Sequence, residues 1–439
     1  MPEKKILTQA EFAAIVRAHQ TLQAGRPGGQ RANLSFHDLH DLDMTRADLS
    51  DADFTGGDLQ RVRAVQTTFV RTLFFGTDLR VATLQHANLT RADLRGACLR
   101  GADLSDATLV DADMREGVLA WHDGSNGPGA VEYKHQNAEV SAVNAQRADF
   151  SSAKMSDAMA VQTDFTDAVL RNANLKGADL RSSILVGAQL EGADLSGSKL
   201  VGADLSGADL SGASFDGADF KDANLAGAIL DPDALEAPEL RAAELPKADA
   251  DIAERLEEIL RSHRNWAEGA KADGERANLS SADLRGRNMQ GRNLAAALMT
   301  SVILKDADLS KSVLAMANLS HADMRAVDLT DADLRGTNLE RATLNGAILT
   351  GCNLGPLKSS GGGGRVWRCV LSHARLCRAD LRNAILTEAD LHGADFEGAD
   401  LRGADLSGAN LAEASFNGAK LEGTRLDGAN MEAARISAQ

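Results

Sequence analysis

The densest group of metal-ligand side chains in the chain is His37, Asp38, His40 and Asp41. Imidazole and carboxylate together are zinc chemistry, but a zinc site needs three or four ligands at set spacing, and no further ligand set accompanies this one. On a repetitive chain these four residues fall at turn positions open to solvent. The other histidines, including His19, His122 and His263, are scattered. Four cysteines, Cys98, Cys352, Cys369 and Cys377, show no CxxC spacing and no disulfide framework. Cys352 and Cys369 each stand two residues before a leucine, which reads as a small packing position more readily than as a redox pair. The run from Lys358 to Arg365 has the glycines of a phosphate loop but lacks its Gly-Lys-Ser/Thr end, and neither HExxH nor GxSxG occurs. The expectation is a protein that is not an enzyme and carries no cofactor and no metal.

Composition narrows the partner classes. The formal charge is −16 and only 4% of residues are aromatic. Phosphate-backbone binding works through clustered Lys and Arg, so direct nucleic-acid binding is not expected. The charge is uneven: residues 31–120 carry 10 basic and 14 acidic groups, residues 231–275 carry 6 and 13, and residues 276–354 carry 9 and 8. No apolar stretch of about 18 residues is present and the first residues lack an apolar signal core, so no membrane segment is expected and a cytoplasmic location fits.

The elements that must position these residues follow from one period. From Leu34 an apolar residue recurs at every fifth position through Leu39, Met44, Leu49, Phe54 and Leu59, and on to Leu119 with only Ala64 as an exception. The ladder resumes in a new phase from Val140 to Leu230. Two residues before each ladder position sits a small residue, usually Ala, as at Ala193, Ala203 and Ala208. Five fits neither the helical period of 3.6 nor a long strand of period 2. It fits a short strand with Ala and Leu inward and Asp or Asn outward between them, followed by a two-residue corner. A chain that turns every five residues coils. A row of outward acids invites a cation along one face, but a solvated face that opposes aggregation is the simpler reading.

The tract from Ala193 to Leu210, with its Ala-Asp-Leu-Ser-Gly units, resembles the pentapeptide-repeat family. The resemblance implies a right-handed quadrilateral β-helix, an all-β repeat solenoid with four units per coil.

A larger repeat lies above the small one. Phe12, Ile15, Val16, His19 and Leu22 match Leu256, Ile259, Leu260, His263 and Trp266 in order, and an Arg-Ala-Asn-Leu-Ser segment follows each set, from Arg31 and Arg276. Each set has the spacing of an amphipathic helix, the first opened by a Thr8 and Glu11 capping box and closed at Gly25, the second closed near Gly269. Two tandem units are therefore expected, each preceded by a capping α-helix that covers the open first coil: residues 1–230 and 247–439, joined by a proline-bearing linker at 231–246. Each solenoid is broken once, at 120–139 and at 355–370, by a Gly-rich insertion holding a tryptophan.

The functional expectation is a scaffold that binds one or more protein partners through flat solenoid faces and these insertions. The candidate contact residues are Trp121, His122, Tyr133, Arg365, Trp367 and Arg368, because aromatics beside arginine make interface anchors. Two alternatives stand beside it. Quinolone-resistance members of the resembled family mimic DNA and bind type II topoisomerases, and this chain is similar in repeat and acidity but departs in its duplication, its helices and its nearly neutral second half. The other alternative is an effector or assembly subunit: Met431 and Ile436 end the last ladder with no helix after them, so the final coil can pair with another copy.

Overall fold

A computed structural model describes residues 4–121, 132–231, 234, 237–245, 252, 255–268, 274–358 and 365–436. The chain divides into two compact units, Met1–Leu245 and Pro246–Gln439. In both, away from the insertions, the outward residue of a pentapeptide pairs in parallel with the residue 20 positions on, as in Asn33↔Asp53, Asp38↔Asp58, Ile184↔Asp204 and Asp283↔Ile303. Four pentapeptides therefore close one coil and stack on the next. Each rung carries backbone bonds between coils, such as Leu185 N–H to Asp204 O at 2.6 Å and Asp204 N–H to Ser183 O at 3.0 Å. The Leu, Met and Phe ladders and the small residues are buried in two clusters, one per unit.

The corners explain the rest of the repeat. Except at Glu116 and Pro356, where the insertions leave the coil, the second residue after a ladder position takes a positive φ, whether glycine or not: Asp51 at 62°, Asn172 at 55° and even Val81 at 58°. The outward Asp or Asn does more than solvate the face. Its carboxylate or amide oxygen accepts the backbone N–H two residues on, as in Ser50 N–H to Asp48 Oδ1 at 3.0 Å and Ser206 N–H to Asp204 Oδ1 at 3.0 Å, an Asx turn that holds the corner. Where Arg follows at that position it folds back on the same Asp, with Nη2 to Oδ2 distances of 2.6 Å at Arg80 and Asp78 and 2.7 Å at Arg181 and Asp179. Threonine at the small inward position is tolerated because its hydroxyl donates to the coil below: Thr72 Oγ1 to Leu49 O is 2.8 Å.

The first unit opens with strand β1 (Lys5–Ile6), paired in parallel with β2 (His37–Asp38), and helix α1 (Gln9–Gln23). Thr8 and Glu11 make the reciprocal capping box, and Gly25, at φ 64°, ends the helix with its N–H on Leu22 O. Phe12 and Val16 belong to the same buried cluster as Leu34 and Leu39, with Ile15 packed against it. The second unit opens with α2 (Leu256–Ala267), whose Leu256 and Leu260 join its cluster, with Ile259 packed alongside. Gly269, the expected stop of α2, lies outside the described residues.

The proline-bearing stretch differs from the expected linker at 231–246. A 3₁₀ turn at Pro238–Ala242 buries Leu240, and Glu244 pairs with Asn224, so this segment belongs to the first unit. Leu240 and Leu245 keep the five-residue spacing, and the apolar interior at the end of the coil holds them although Pro238 opens a 3₁₀ turn in place of the regular strand. Among the described residues, no helix is long and apolar enough to cross a membrane.

Candidate functional site

The two insertions are antiparallel hairpins. The first is β3 (Gly117–Trp121) with β4 (Glu132–Gln136), and the second is β5 (Leu357–Lys358) with β6 (Val366–Trp367). Their limits differ from the sequence expectation. Leu119, counted in the ladder, pairs with Lys134 in the hairpin, whereas Glu139 and Val370, placed in the insertions, already pair with Cys98 and Asn338 of the coil. Across the first hairpin the coil pairing runs 41 positions instead of 20, and across the second 32, so the excursions add 21 and 12 residues at one corner and return the chain to the stack it would have reached without them.

Each hairpin leans back on the corner one coil earlier, and a glycine makes room there. A Cβ on Gly96 would lie 3.3 Å from Gly117 Cα and 3.1 Å from Gln136 O. A Cβ on Gly336 would lie 3.2 Å from Trp367 Cβ and 3.4 Å from Leu357 Cβ. Both glycines have φ near 65°.

The predicted contact residues are brought together in part. Trp121 pairs with Glu132 and Tyr133 with Ala120 along the first hairpin's backbone, and His122 lies outside the described residues. In the second hairpin the Arg365 guanidinium stands 5.8 Å over the Trp367 ring, and Trp367 is half-buried against the Gly336 corner. Arg368 and Lys358 both reach Glu388, at 3.6 and 4.0 Å. The segment 355–368 carries three cations and no acid, whereas 115–137 carries Arg115 and Lys134 against Glu116, Asp123 and Glu132. The two arms thus differ in electrostatic character.

The histidines on the helices share the bond they make at Nδ1. His19 accepts the Ala32 N–H at Nδ1 (3.2 Å) and its Nε2 meets Ser50 O at 2.8 Å, which fixes the Nε2–H tautomer. His263 accepts the Ala277 N–H at Nδ1 (3.0 Å) and stacks on Trp266. Burial, aided by Arg276, pulls the His263 imidazole below its ordinary range. Arg31 and Arg276 complete the match, each donating from Nε to a backbone oxygen one coil on, Asp51 O and Ala296 O.

The group around His37 is occupied internally. His40 Nδ1 meets Asp38 Oδ1 at 2.5 Å, Asp41 is engaged by Arg61 at 2.7 Å, and His37 Nδ1 bonds Ser35 O. Hydrogen bonding to Asp38 raises the His40 pKa. Cys352 and Cys369 are fully buried at the small inward position, where desolvation drives both thiols up and keeps them protonated. Sequence reading missed a third set, Cys377, Asp395 and Glu397, whose donor atoms lie within 4.8 Å of one another. These residues sit on neighbouring coils, so only the 20-residue coil period aligns them. Arg375 pairs with Asp395 on the same face and is 5% exposed, so a cation placed there meets a buried positive charge.

Pentapeptides stacked four to a coil define a β-helical repeat solenoid. A family model described as pentapeptide repeats matches residues 30–63, 72–111, 136–231, 277–314, 317–355 and 368–432. The chain belongs to the pentapeptide-repeat family, whose solenoid is the right-handed β-helix expected from the sequence. Solved structures similar to it include HetL from the cyanobacterium Nostoc sp. strain PCC 7120, a protein involved in heterocyst differentiation regulation, at 21% identity over 94% of this chain and 96% of that one (TM-score 0.20). Another is QnrB1, a plasmid-mediated fluoroquinolone resistance protein, at 18% identity over 47% and 89% (TM-score 0.25). A third is Rfr23 from the cyanobacterium Cyanothece 51142, at 26% over 36% and 91% (TM-score 0.10). These superpositions are poor, and the assignment rests on the family match. No curated protein sequence matches the chain.

Proposed function

We propose that this protein is a non-enzymatic scaffold that binds a protein partner through its solenoid faces and two hairpins, with α1 and α2 as caps that keep each first coil closed. The observation that carries this reading is the construction of the hairpins. Each leaves and rejoins the coil at a single corner, so the solenoid has no need of them, and the second presents arginine stacked on tryptophan at the surface. Excising residues 117–137, or 357–368 together with Pro356→Gly because that position becomes a positive-φ corner, leaves a continuous pentapeptide register. Affinity capture from the source cell is expected to lose its specific partner with one of these excisions without loss of thermal stability. An identical set of captured proteins from all three forms contradicts the proposal.

Self-association is part of the same reading. Leu421, Leu426 and Met431 are only partly buried and Ile436 is 56% exposed, whereas Leu240 covers the end of the first unit. The molar mass from light scattering is expected to rise with concentration for the native chain and to stay constant for Ile436→Lys. The DNA-mimic alternative has less support, because the outward acids are repeatedly closed by arginine, as at Asp93 and Asp113 by Arg95 and Arg115. Inhibition of gyrase supercoiling by the purified protein would restore it.

A further inference from the structure

Indexing the second unit by its 20-residue coil exposes an asymmetry that the five-residue repeat conceals. Residues 293–304 and 312–320 hold no charge in a chain that is 25% charged. The coil stacks these runs. Asn293, Val313, Asp333 and Asn353 form one face, and Leu298, Asn318, Asn338 and Val370 form the next. Over these coils the one charged outward residue of the two faces is Asp333, closed at 2.7 Å by Arg335 at the corner, and beyond the hairpin the same faces go on to Asp405 and Asp390. The other two faces of the same coils carry Asp283 and Asp323, and Asp308 and Asp328.

The edge between the uncharged faces runs through Ala296, Met316 and Gly336 and is the edge from which the second hairpin leaves. Met316 is 37% exposed at its corner, and Gly336, one coil on, is covered by Trp367 and Leu357. Val366 stands beside Trp367, 42% exposed. A ridge of Ala, Met, Trp and Val therefore follows one edge of the solenoid, and Lys358, Arg365 and Arg368 stand at its end with only Glu388 among them. The first unit's hairpin sits on the opposite kind of ground, between faces carrying Asp53, Asp93 and Asp113, and Asp38, Asp58 and Asp78.

An apolar ridge with a cationic end, in a chain of net charge −16, is complementary to a segment with the reverse pattern. We propose that this edge of the second unit docks a protein segment whose apolar residues are flanked by Asp or Glu, the apolar residues seated along Met316 and Trp367 and the carboxylates on Lys358, Arg365 and Arg368. The proposal rests on the scaffold reading and adds the chemistry of the partner. A nucleic acid would use the cations but leave the ridge uncovered.

The test is selection of a random peptide library on the full-length protein, followed by anisotropy titration of the best fluorescein-labelled peptide. Enriched sequences are expected to combine large apolar residues with a net negative charge. Met316→Glu and Arg365→Glu, both at exposed positions, are each expected to weaken binding at least about tenfold with an unchanged melting temperature. Raised salt is expected to weaken binding further. No enrichment, enrichment of basic peptides, displacement by an oligonucleotide, or binding indifferent to both substitutions overturns the proposal. If selected peptides instead lose binding on excision of residues 117–137, the scaffold reading stands and this assignment falls. If neither unit's hairpin affects any peptide, both fall.

Discussion

Excision of the first hairpin is a demanding test of how the coil is built. The pairing offset shows that the excursion adds 21 residues, and removing 117–137 joins Ala112, Asp113, Met114, Arg115 and Glu116 directly to Ala138, Glu139 and Val140. The junction has small, outward, ladder and corner residues in order, so Glu139 remains opposite Cys98. The cost of closing a flexible excursion of this length, (3/2)RT ln n, is about 2.7 kcal/mol, offset in part by the hairpin's own ladder. Excision is therefore expected to leave the first unit as stable as before or up to about 3 kcal/mol more stable. Removing 117–138 instead, one residue more, shifts every ladder side chain from Val140 to Leu230 off its inward position, and the coils after the junction should fail to fold. Denaturant unfolding followed by circular dichroism, with hydrogen exchange to locate the protected coils, distinguishes the two. If the in-register excision destabilises as much as the off-register one, the coil assignment is wrong at that face.

Phe54 and Phe74 stack at 5.2 Å with Phe69 edge-on to both, so Phe74→Ala is expected to cost about 3–5 kcal/mol, and a loss under about 1 kcal/mol in denaturant titration contradicts the packing. Val81 holds a positive φ as a β-branched residue, 59% exposed, and Val81→Asn is expected to stabilise the first unit by about 1 kcal/mol; a lowered unfolding midpoint refutes this. His263 takes up a proton less readily folded than unfolded, so its contribution is complete above the ordinary imidazole pKa of about 6.5 and is lost as pH falls towards its depressed folded value. Protonation also takes away the acceptor for Ala277 N–H. Exchange protection of α2 should therefore fall as pH drops below about 6.5, and protection that stays flat on acidification counts against the buried neutral histidine.

The ladder was legible because every Leu and Phe in it answers to one physical demand, burial at a fixed period. The limits of the hairpins were not, since Leu119 keeps the five-residue spacing while its backbone belongs to β3. Pro238 suggested a linker, although Leu240 and Leu245 carried the contrary signal. Asp at the outward position looked like a solvated charge; its bond to the corner N–H is local geometry that composition does not reveal. Gly96 and Gly336 could not be singled out either, because glycine at a corner usually meets only the demand for positive φ, and here a hairpin also crosses it. The uncharged edge of the second unit emerges only when residues 20 apart are placed side by side, which requires the number of repeats per coil. The paired histidines on the helices were visible as a duplication, but not their bonds to Ala32 and Ala277.

The account depends most on four pentapeptides closing one coil. Nitroxide labels at Ile184 and Asp204, in a background with the four native cysteines replaced, are expected to lie on adjacent rungs of one face, about 5 Å apart at the backbone, and to broaden each other's spectra by spin exchange. Labels at Ile184 and Asp194, closer in sequence but on opposite faces, should show none. Exchange in the second pair, or its absence in the first, would contradict the coil and everything placed on its corners.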